Sequence, residues 1–393
     1  MTFSPKRLPT SYPDKNTCTS GMILDPLTYR IAFASMRGLT PRMARQLLAV
    51  LDSEEHFFAA SERELAIVTG GKNRIFDRAL RDRFLQEASK EVDFVRAHNI
   101  TTTYFTDPTY PRRLIEADDA PLMLYSLGAA DLSPQAVISV VGTRHATSYG
   151  VEFTERLIAS LAANLPFKPL IVSGLAFGID ITAHRAALEN SLPTAAVLAH
   201  GLNTLYPSQH RTIASRIISS GGALITDYRS VDTLHKGNFL ARNRIVAGLC
   251  DCLIVVESAA KGGALVTANI ASCYNREVFA LPGRVTDRYS QGCNNLCARQ
   301  LAHVITSPDD LIEAMGWPRK EVKIEQQSLF SDLNSVETLI VDYLLSHDTA
   351  RVNELAVNLN LAAGKVMSIL VDLEFRGIVT SIPGGAYRCL SPN

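Results

Sequence analysis

Charge of one sign is missing from this chain: 39 Lys and Arg face 39 Asp and Glu over 393 residues. That balance excludes a global positive field, so any surface for a polyanion must be a local patch. Long apolar runs are missing too. Ala136–Gly142 and Cys252–Val256 fall far short of the roughly 20 residues a membrane helix needs, so no membrane partner is expected. Lys6 and Arg7 are followed by polar residues and prolines, which argues against a secretory signal. The seven cysteines are odd in number and contain no Cys-x-x-Cys pair. A disulfide framework and a zinc site are set aside in favour of free thiols in a cytoplasmic protein. Gly-x-Gly-x-x-Gly, the Walker A loop, His-Glu-x-x-His, the EF-hand loop and the Gly-x-Ser-x-Gly elbow do not occur. The ordinary signatures of dinucleotide enzymes, ATPases, zinc hydrolases and serine hydrolases are thereby absent.

What is present is globular stock, 47% hydrophobic and 20% charged, enough for several cored domains. Residues 1–21 are polar and carry Pro5, Pro9 and Pro13, so they read as a mobile tail. Residues 22–115 read as helices. Leu27, Ile31 and Ala34 share a helical face, as do Ala44, Leu47, Leu48 and Leu51. Gly38-Leu39-Thr40-Pro41 breaks the pattern and restarts it, with Thr40 as N-cap and Pro41 in the first turn. A helix, a Gly turn and a second helix suggest a SAM or helix-hairpin-helix module. The 14 basic and 12 acidic residues between Met22 and Leu114 leave DNA contact and plain packing equally open.

Residues 116–316 change period. Short apolar runs at Val137–Val141, Leu170–Ser173, Thr194–Ala199, Ala223–Thr226, Cys252–Glu257, Val278–Leu281 and His303–Ile305 alternate with helical stretches. This predicts a Rossmann-like α/β domain with a doubly wound parallel sheet. Ligands of such sheets bind beyond the C-terminal strand ends. Residues 317–334 read as a charged, Gln-rich linker. Residues 335–393 predict three helices and a hairpin turning at Pro383-Gly384-Gly385, a winged helix. Four basic residues against six acidic ones from Ser335 onward favour docking or regulation over DNA reading there.

Four loops of the central domain draw attention. Gly142-Thr143-Arg144 follows the first parallel strand, where glycine admits a phosphate and arginine supplies a bidentate fork; a bare tight turn explains the loop as well. Ser173-Gly174 opens a second Gly-rich loop, and Asp180 and His184 follow on one helical face. Those two read as a helix cap and a structural histidine before an acid–base pair. From Arg229 to Arg244 four basic residues face one acid, and Lys236, Asn238, Phe239, Arg242, Asn243 and Arg244 crowd one stretch. Cations bind phosphates and an interleaved aromatic can stack a base; a solvated helix with Phe239 in the core explains the stretch as well. Lys261-Gly262-Gly263 marks a fourth turn, open to a phosphate contact or to a plain connection.

Taken in order, Val140–Arg144, Ser173-Gly174-Leu175-Ala176-x-Gly178-Ile179-Asp180-x-x-Ala183-His184, Gly201-Leu202-x-x-x-Tyr206-Pro207, Arg242–Leu249 and Leu281-Pro282-Gly283 resemble the DNA-processing protein A (DprA/Smf) family, with Tyr110-Pro111-Arg112-Arg113-Leu114 fitting upstream. The resemblance implies a cytoplasmic homodimer that binds single-stranded DNA, protects incoming strands in natural transformation and helps load RecA recombinase. Single-strand-binding protein is a further implied partner, and neither catalysis nor a cofactor is implied. Carried over, Arg144 holds phosphate, Lys236 and Phe239 form the strand pocket, and Arg242, Asn243 and Arg244 support its wall. Gly142, Thr143, Ser173, Gly174, Asn238, Lys261, Gly262 and Gly263 complete the implied DNA-binding set. Two departures stand out. Lys261-Gly262-Gly263-Ala264-Leu265 replaces the family's frequent Lys-Ser-Gly-Ser-Leu, and Thr226-Asp227-Tyr228-Arg229 replaces Ser-Glu-Tyr-Pro, which places a charge near the pocket. The competing class is a phosphoribohydrolase of the lysine-decarboxylase-like group. Its Pro-Gly-Gly-x-Gly-Thr-x-x-Glu string is matched only by Pro282-Gly283-Arg284-Val285-Thr286-Asp287, which lacks the Gly pair and the glutamate.

Overall fold

The computed structural model describes residues 24–36, 38–71, 73–320 and 333–390. The expected tail and most of the expected linker lie outside them. The described residues form two compact units, one ending at Lys320 and one beginning at Leu333.

The first unit opens with five helices, α1 (Pro26–Ala34), α2 (Pro41–Leu51), α3 (Glu54–Ala59), α4 (Glu62–Thr69) and α5 (Arg78–Ala97). The start of α2 follows the sequence reading: the Thr40 hydroxyl accepts from the Met43 N–H at 3.3 Å and Pro41 occupies the first turn. Arg81 on α5 is fully buried and donates to the carbonyls of Phe57, Phe58, Ala60 and Phe76. A lone buried cation is costly unless its donors are met, and here the guanidinium ties together the chain ends around α3.

Strands and helices then alternate: β1 (Thr101–Tyr104), β2 (Met123–Gly128), β3 (Val137–Val141), α6 (Ser148–Asn164), β4 (Leu170–Ser173), α7 (Ile179–Glu189), β5 (Thr194–Val197), α8 (Arg211–Ser219), β6 (Ala223–Thr226), α9 (Lys236–Leu249), β7 (Cys252–Val255), α10 (Gly263–Cys273), β8 (Glu277–Ala280), α11 (Gln291–Ala298), β9 (His303–Val304) and α12 (Pro308–Ala314). The nine strands of this unit make one sheet in the order β1-β2-β6-β5-β4-β3-β7-β8-β9. β6 to β9 run parallel, and β3, β4, β5, β6 and β7 are buried along their whole length. Helices on both faces leave these strands no solvent side, which is why they read as continuous apolar runs.

Two strands correct the expected start of the sheet. β1 lies before residue 116 and β2 just after it, and together they add an antiparallel edge, β1 on β2 and β2 on β6. β1 is Thr-Thr-Thr-Tyr with its threonines at least partly exposed, so it has no apolar run to betray it. The linker boundary shifts as well: Trp317 packs edge-on against Phe167 with ring centroids 6.2 Å apart, and the Lys320 N–H donates to the Asn164 carbonyl at 2.7 Å. No single described helix is long and apolar enough to cross a membrane.

The second unit is the expected winged helix. It comprises α13 (Ser335–His347), β10 (Ala350–Arg351), α14 (Val352–Asn358), α15 (Ala363–Phe375), β11 (Val379–Ile382) and β12 (Ala386–Cys389), with strand order β10-β12-β11. Ile340, Leu344, Leu355, Val366 and Leu370 form its separate core. Asn334 caps α13 by accepting from the Val336 and Glu337 N–H groups, both at 3.0 Å.

Candidate functional site

The parallel strands change winding direction at β3, which has β4 on one side and β7 on the other. A crevice must open beyond their C-terminal ends. A cleft of about 320 Å³ lies there, lined by Gly142, Thr143 and Arg144 after β3, by Asp180 on α7, by Phe239, Arg242 and Asn243 on α9, and by Ser258, Gly262 and Gly263 after β7. No side chain caps α10 at Gly262. Its first amides and the positive end of its dipole favour an anion in the cleft.

Two buried charges hold the floor. Arg242 donates to the Val197 carbonyl at 2.5 Å, and its guanidinium passes so close to Gly174 that a Cβ there would sit 1.8 Å from Nη1. Only glycine fits under it. Asp180 reaches back and accepts from the Gly174 N–H at 3.1 Å, so it pins the loop rather than capping its own helix, whose N-cap is Gly178. Burial pushes the Asp180 carboxyl up and the Arg242 guanidinium down, and each charge partly offsets the other's shift. Gly178 has φ 76°, and a Cβ there would meet the Thr143 carbonyl oxygen at 2.2 Å; this close approach locks the arginine-bearing loop onto α7. His184 is fully buried with Nδ1 2.7 Å from the Thr194 hydroxyl. Burial lowers it to about 3, so it is a neutral core group.

At the mouth the chemistry is different. The exposed Arg144 guanidinium lies over the Phe239 ring at 5.4 Å, and the Tyr206 ring meets Phe239 edge-on at 5.6 Å. Phe239 is half-buried and belongs to the cleft wall rather than to a core cluster. An aromatic held between a cation and a second aromatic offers a face for a base beside a phosphate ligand. In the sequence Tyr206 stands only within the Tyr206-Pro207 step of a longer string, which carries no local sign of a site.

The basic stretch from Arg229 to Arg244 divides sharply. It is helical from Lys236. Lys236 is exposed at the start of α9, outside the residues lining the cleft. Arg229 is buried against Glu87 and Asp232 at 2.9 and 3.0 Å. Arg244 pairs with Asp227 and donates to the Asp119 carbonyl. The charge that the Thr226-Asp227-Tyr228-Arg229 departure adds is the Arg229 cation, and Glu87 and Asp232 neutralise it. Asn238 donates to the Thr233 carbonyl at 3.2 Å, and the buried Ser173 hydroxyl donates to the Val140 carbonyl at 2.6 Å. Ser173, Gly174, Asn238, Arg244 and Lys261 thus stand behind or beside the cleft, whereas Gly142, Thr143, Arg144, Phe239, Arg242, Asn243, Gly262 and Gly263 line it.

Gly262 explains one departure. A Cβ at this position would lie 2.1 Å from the Ser258 hydroxyl oxygen, which donates to the Ala259 carbonyl at 3.0 Å. Ser258 fills the space a serine at 262 would need. Gly262→Ser is expected to cost about 1 kcal/mol in thermal unfolding, and Gly262→Ser combined with Ser258→Ala to recover most of it, since contacting residues couple by roughly 0.5–3 kcal/mol. Additive losses in the double variant would refute the exchange.

The fold and crevice define a Rossmann-like protein with an anion-receptive switch-point cleft and a stacking platform at its mouth. The family described as DNA recombination-mediator protein A matches residues 101–316, and the DprA winged helix domain matches residues 331–385. The chain belongs to that DprA/Smf family. Protein Smf of Synechocystis is 30% identical over 92% of this chain and 98% of its own. A putative DNA processing protein DprA of Mycobacterium tuberculosis is 37% identical over 69% of each chain. The X-ray structure of DNA processing protein A from Streptococcus pneumoniae superposes with TM-score 0.61 and 30% identity, covering 74% of this chain and 98% of that one.

Proposed function

We propose that this protein binds single-stranded DNA in the switch-point cleft, protects strands entering during natural transformation and helps load RecA recombinase, acting as a cytoplasmic homodimer without catalysis. The observation that carries the binding reading is Arg144 over Phe239 at the mouth of a glycine-lined crevice. The cation takes a backbone phosphate, the ring takes a base, and neither reads sequence. A DNA-processing role also fits the names of the relatives. Asp180 and His184, the pair that would otherwise suggest acid–base chemistry, serve the loop and the core.

A salt-dependent titration of the full chain tests this. Single strands should bind more tightly than duplex of matched length, with little sequence preference; equal affinity would overturn the reading. A chain ending at Lys320 should bind single strands within about tenfold of the full chain, or about 1.4 kcal/mol, because the winged helix is net acidic. A larger loss would place DNA contact in that domain. Nucleoside monophosphates incubated with the protein should stay intact; release of free base would move it to the phosphoribohydrolases.

A further inference from the structure

Beside the first cleft lies a second, of about 850 Å³, beyond the ends of β7 and β8. Its walls include Tyr149, Arg284, Arg288 and Tyr289. Arg284 and Arg288 are exposed and form no ion pair among the described residues, and the Arg288 guanidinium lies 5.7 Å from the Tyr289 ring centre. Tyr149 is 49% exposed, with its hydroxyl donating to the Pro282 carbonyl at 2.8 Å. Val285, between the arginines, is 83% exposed. The loop thus turns its cations outward, and no acid among the described residues pairs with them.

The two clefts share a rigid wall. The Ser258 N–H donates to the Tyr289 carbonyl at 2.6 Å and the Gly292 N–H donates to the Ser258 carbonyl at 2.8 Å. Over this wall the rings of His145 and Tyr289 lie nearly parallel, at 25° and 6.1 Å between centres. His145 follows Arg144 directly in the chain. A row of two rings to each cation therefore runs from Tyr206 through Phe239 to Arg144, and from the adjoining His145 through Tyr289 to Arg288. Rings beside cations suit a nucleic-acid strand, whose bases and phosphates lie at short intervals.

Two acids face the second cleft. Both Glu257 oxygens are engaged, accepting from the Thr147 N–H at 2.9 Å and the Thr147 hydroxyl at 2.6 Å. Asp287 stands on the rim between the arginines. They reduce the local attraction for phosphate, so stacking on Tyr289 must carry part of the affinity.

We infer that the cleft around Tyr289 is a second nucleotide subsite, which takes the next nucleotides of a strand already held at Arg144 and Phe239. Bases stack on Tyr289 and His145, and Arg284 and Arg288 hold the phosphates. The inference rests on the strand-binding reading of the first cleft.

The test uses the full chain and fluorescent oligothymidylates from about 4 to about 20 nucleotides, a range spanning single-module site sizes. Affinity of the unaltered protein should rise again once the strand is long enough to cross the wall. Arg284→Ala combined with Arg288→Ala should abolish that second rise and lower the log–log salt slope on long strands by roughly 1.4, at about 0.7 per phosphate. Tyr289→Ala should weaken long strands by about fivefold or more with the salt slope unchanged, Tyr289→Phe should restore them, and the shortest strands should bind all these variants equally. The arginine side chains are exposed, so their removal reports on binding even if Tyr289→Ala is unstable. If long strands bind the arginine and tyrosine variants as they bind the unaltered protein, while Arg144→Ala weakens binding, the second subsite is refuted and the first stands. If Arg144→Ala also binds normally, the first reading falls and takes this one with it.

Discussion

Arg242→Ala is expected to lower stability by about 3 kcal/mol, because it strips a buried carbonyl of its donor and a buried carboxylate of its main compensating charge. The carbonyl is that of Val197, 2.5 Å from Nη1. The carboxylate is Asp180, whose pKa burial already raises and which Arg242 helps to keep ionised. A carboxyl raised in the folded state binds protons more tightly there than in the unfolded chain, so its ionisation subtracts stability as pH rises through its folded value. Without Arg242 that penalty grows. The deficit of the variant should therefore be largest near neutral pH and shrink as pH falls toward about 4, the ordinary aspartate range. Adding Asp180→Asn should recover part of the loss at neutral pH while keeping an acceptor for the Gly174 N–H. Melting curves at several pH values decide the matter; a pH-independent deficit would mean that packing alone, not the buried charge, is what Arg242 supplies.

Phe239→Ala and Arg144→Ala should show the opposite profile, large in binding and small in stability. Phe239 forms part of the cleft wall and Arg144 is exposed with no ion pair among the described residues, so melting temperatures should stay close to that of the unaltered protein. Loss of the ring should weaken single-strand binding by roughly 1–3 kcal/mol and leave the salt slope unchanged, since stacking releases no counterions. Loss of the guanidinium should weaken binding and flatten the slope by roughly 0.7. Arg144 also lies on the ring face, so the two losses should not add. A destabilised Phe239→Ala whose folded fraction binds normally would put the ring in the core and end the stacking model.

The sequence carries the parallel core and the winged helix openly, because fully buried strands and amphipathic helices write their burial into apolar spacing. It hides β1, whose threonines are satisfied by an edge position created only when β2 docks on β6. In the site, the loops after β3 and β7 were legible as glycines beside cations. The count of cations near α9 was not: Arg229, Arg242 and Arg244 look like a phosphate patch in the chain and are internal fasteners in space. Charge in sequence gives no sign of which acid or carbonyl will fold against it. The reverse holds for Arg284, Arg288 and Tyr289, which sit among Gly, Val, Thr and Asp with no periodic signal and gain meaning only beside His145.

The antiparallel edge also bears on how the molecule comes apart. Phe33, Leu47 and Phe57 from the opening helices share one hydrophobic cluster with Tyr104, Leu124, Val197 and Val255 of the sheet. Glu91 of α5 accepts from the Ser230 N–H and hydroxyl, fastening those helices to the loop that leads into α9. The helices ahead of residue 101 are thus a wall of the same interior rather than an appended module. A calorimetric scan should register Leu24 through Lys320 as a single cooperative melt. A truncation at residue 116 would bare the outer edge of β2 and the apolar face beneath the lost helices, and such material should self-associate through that open strand before its ability to hold a ligand could be measured.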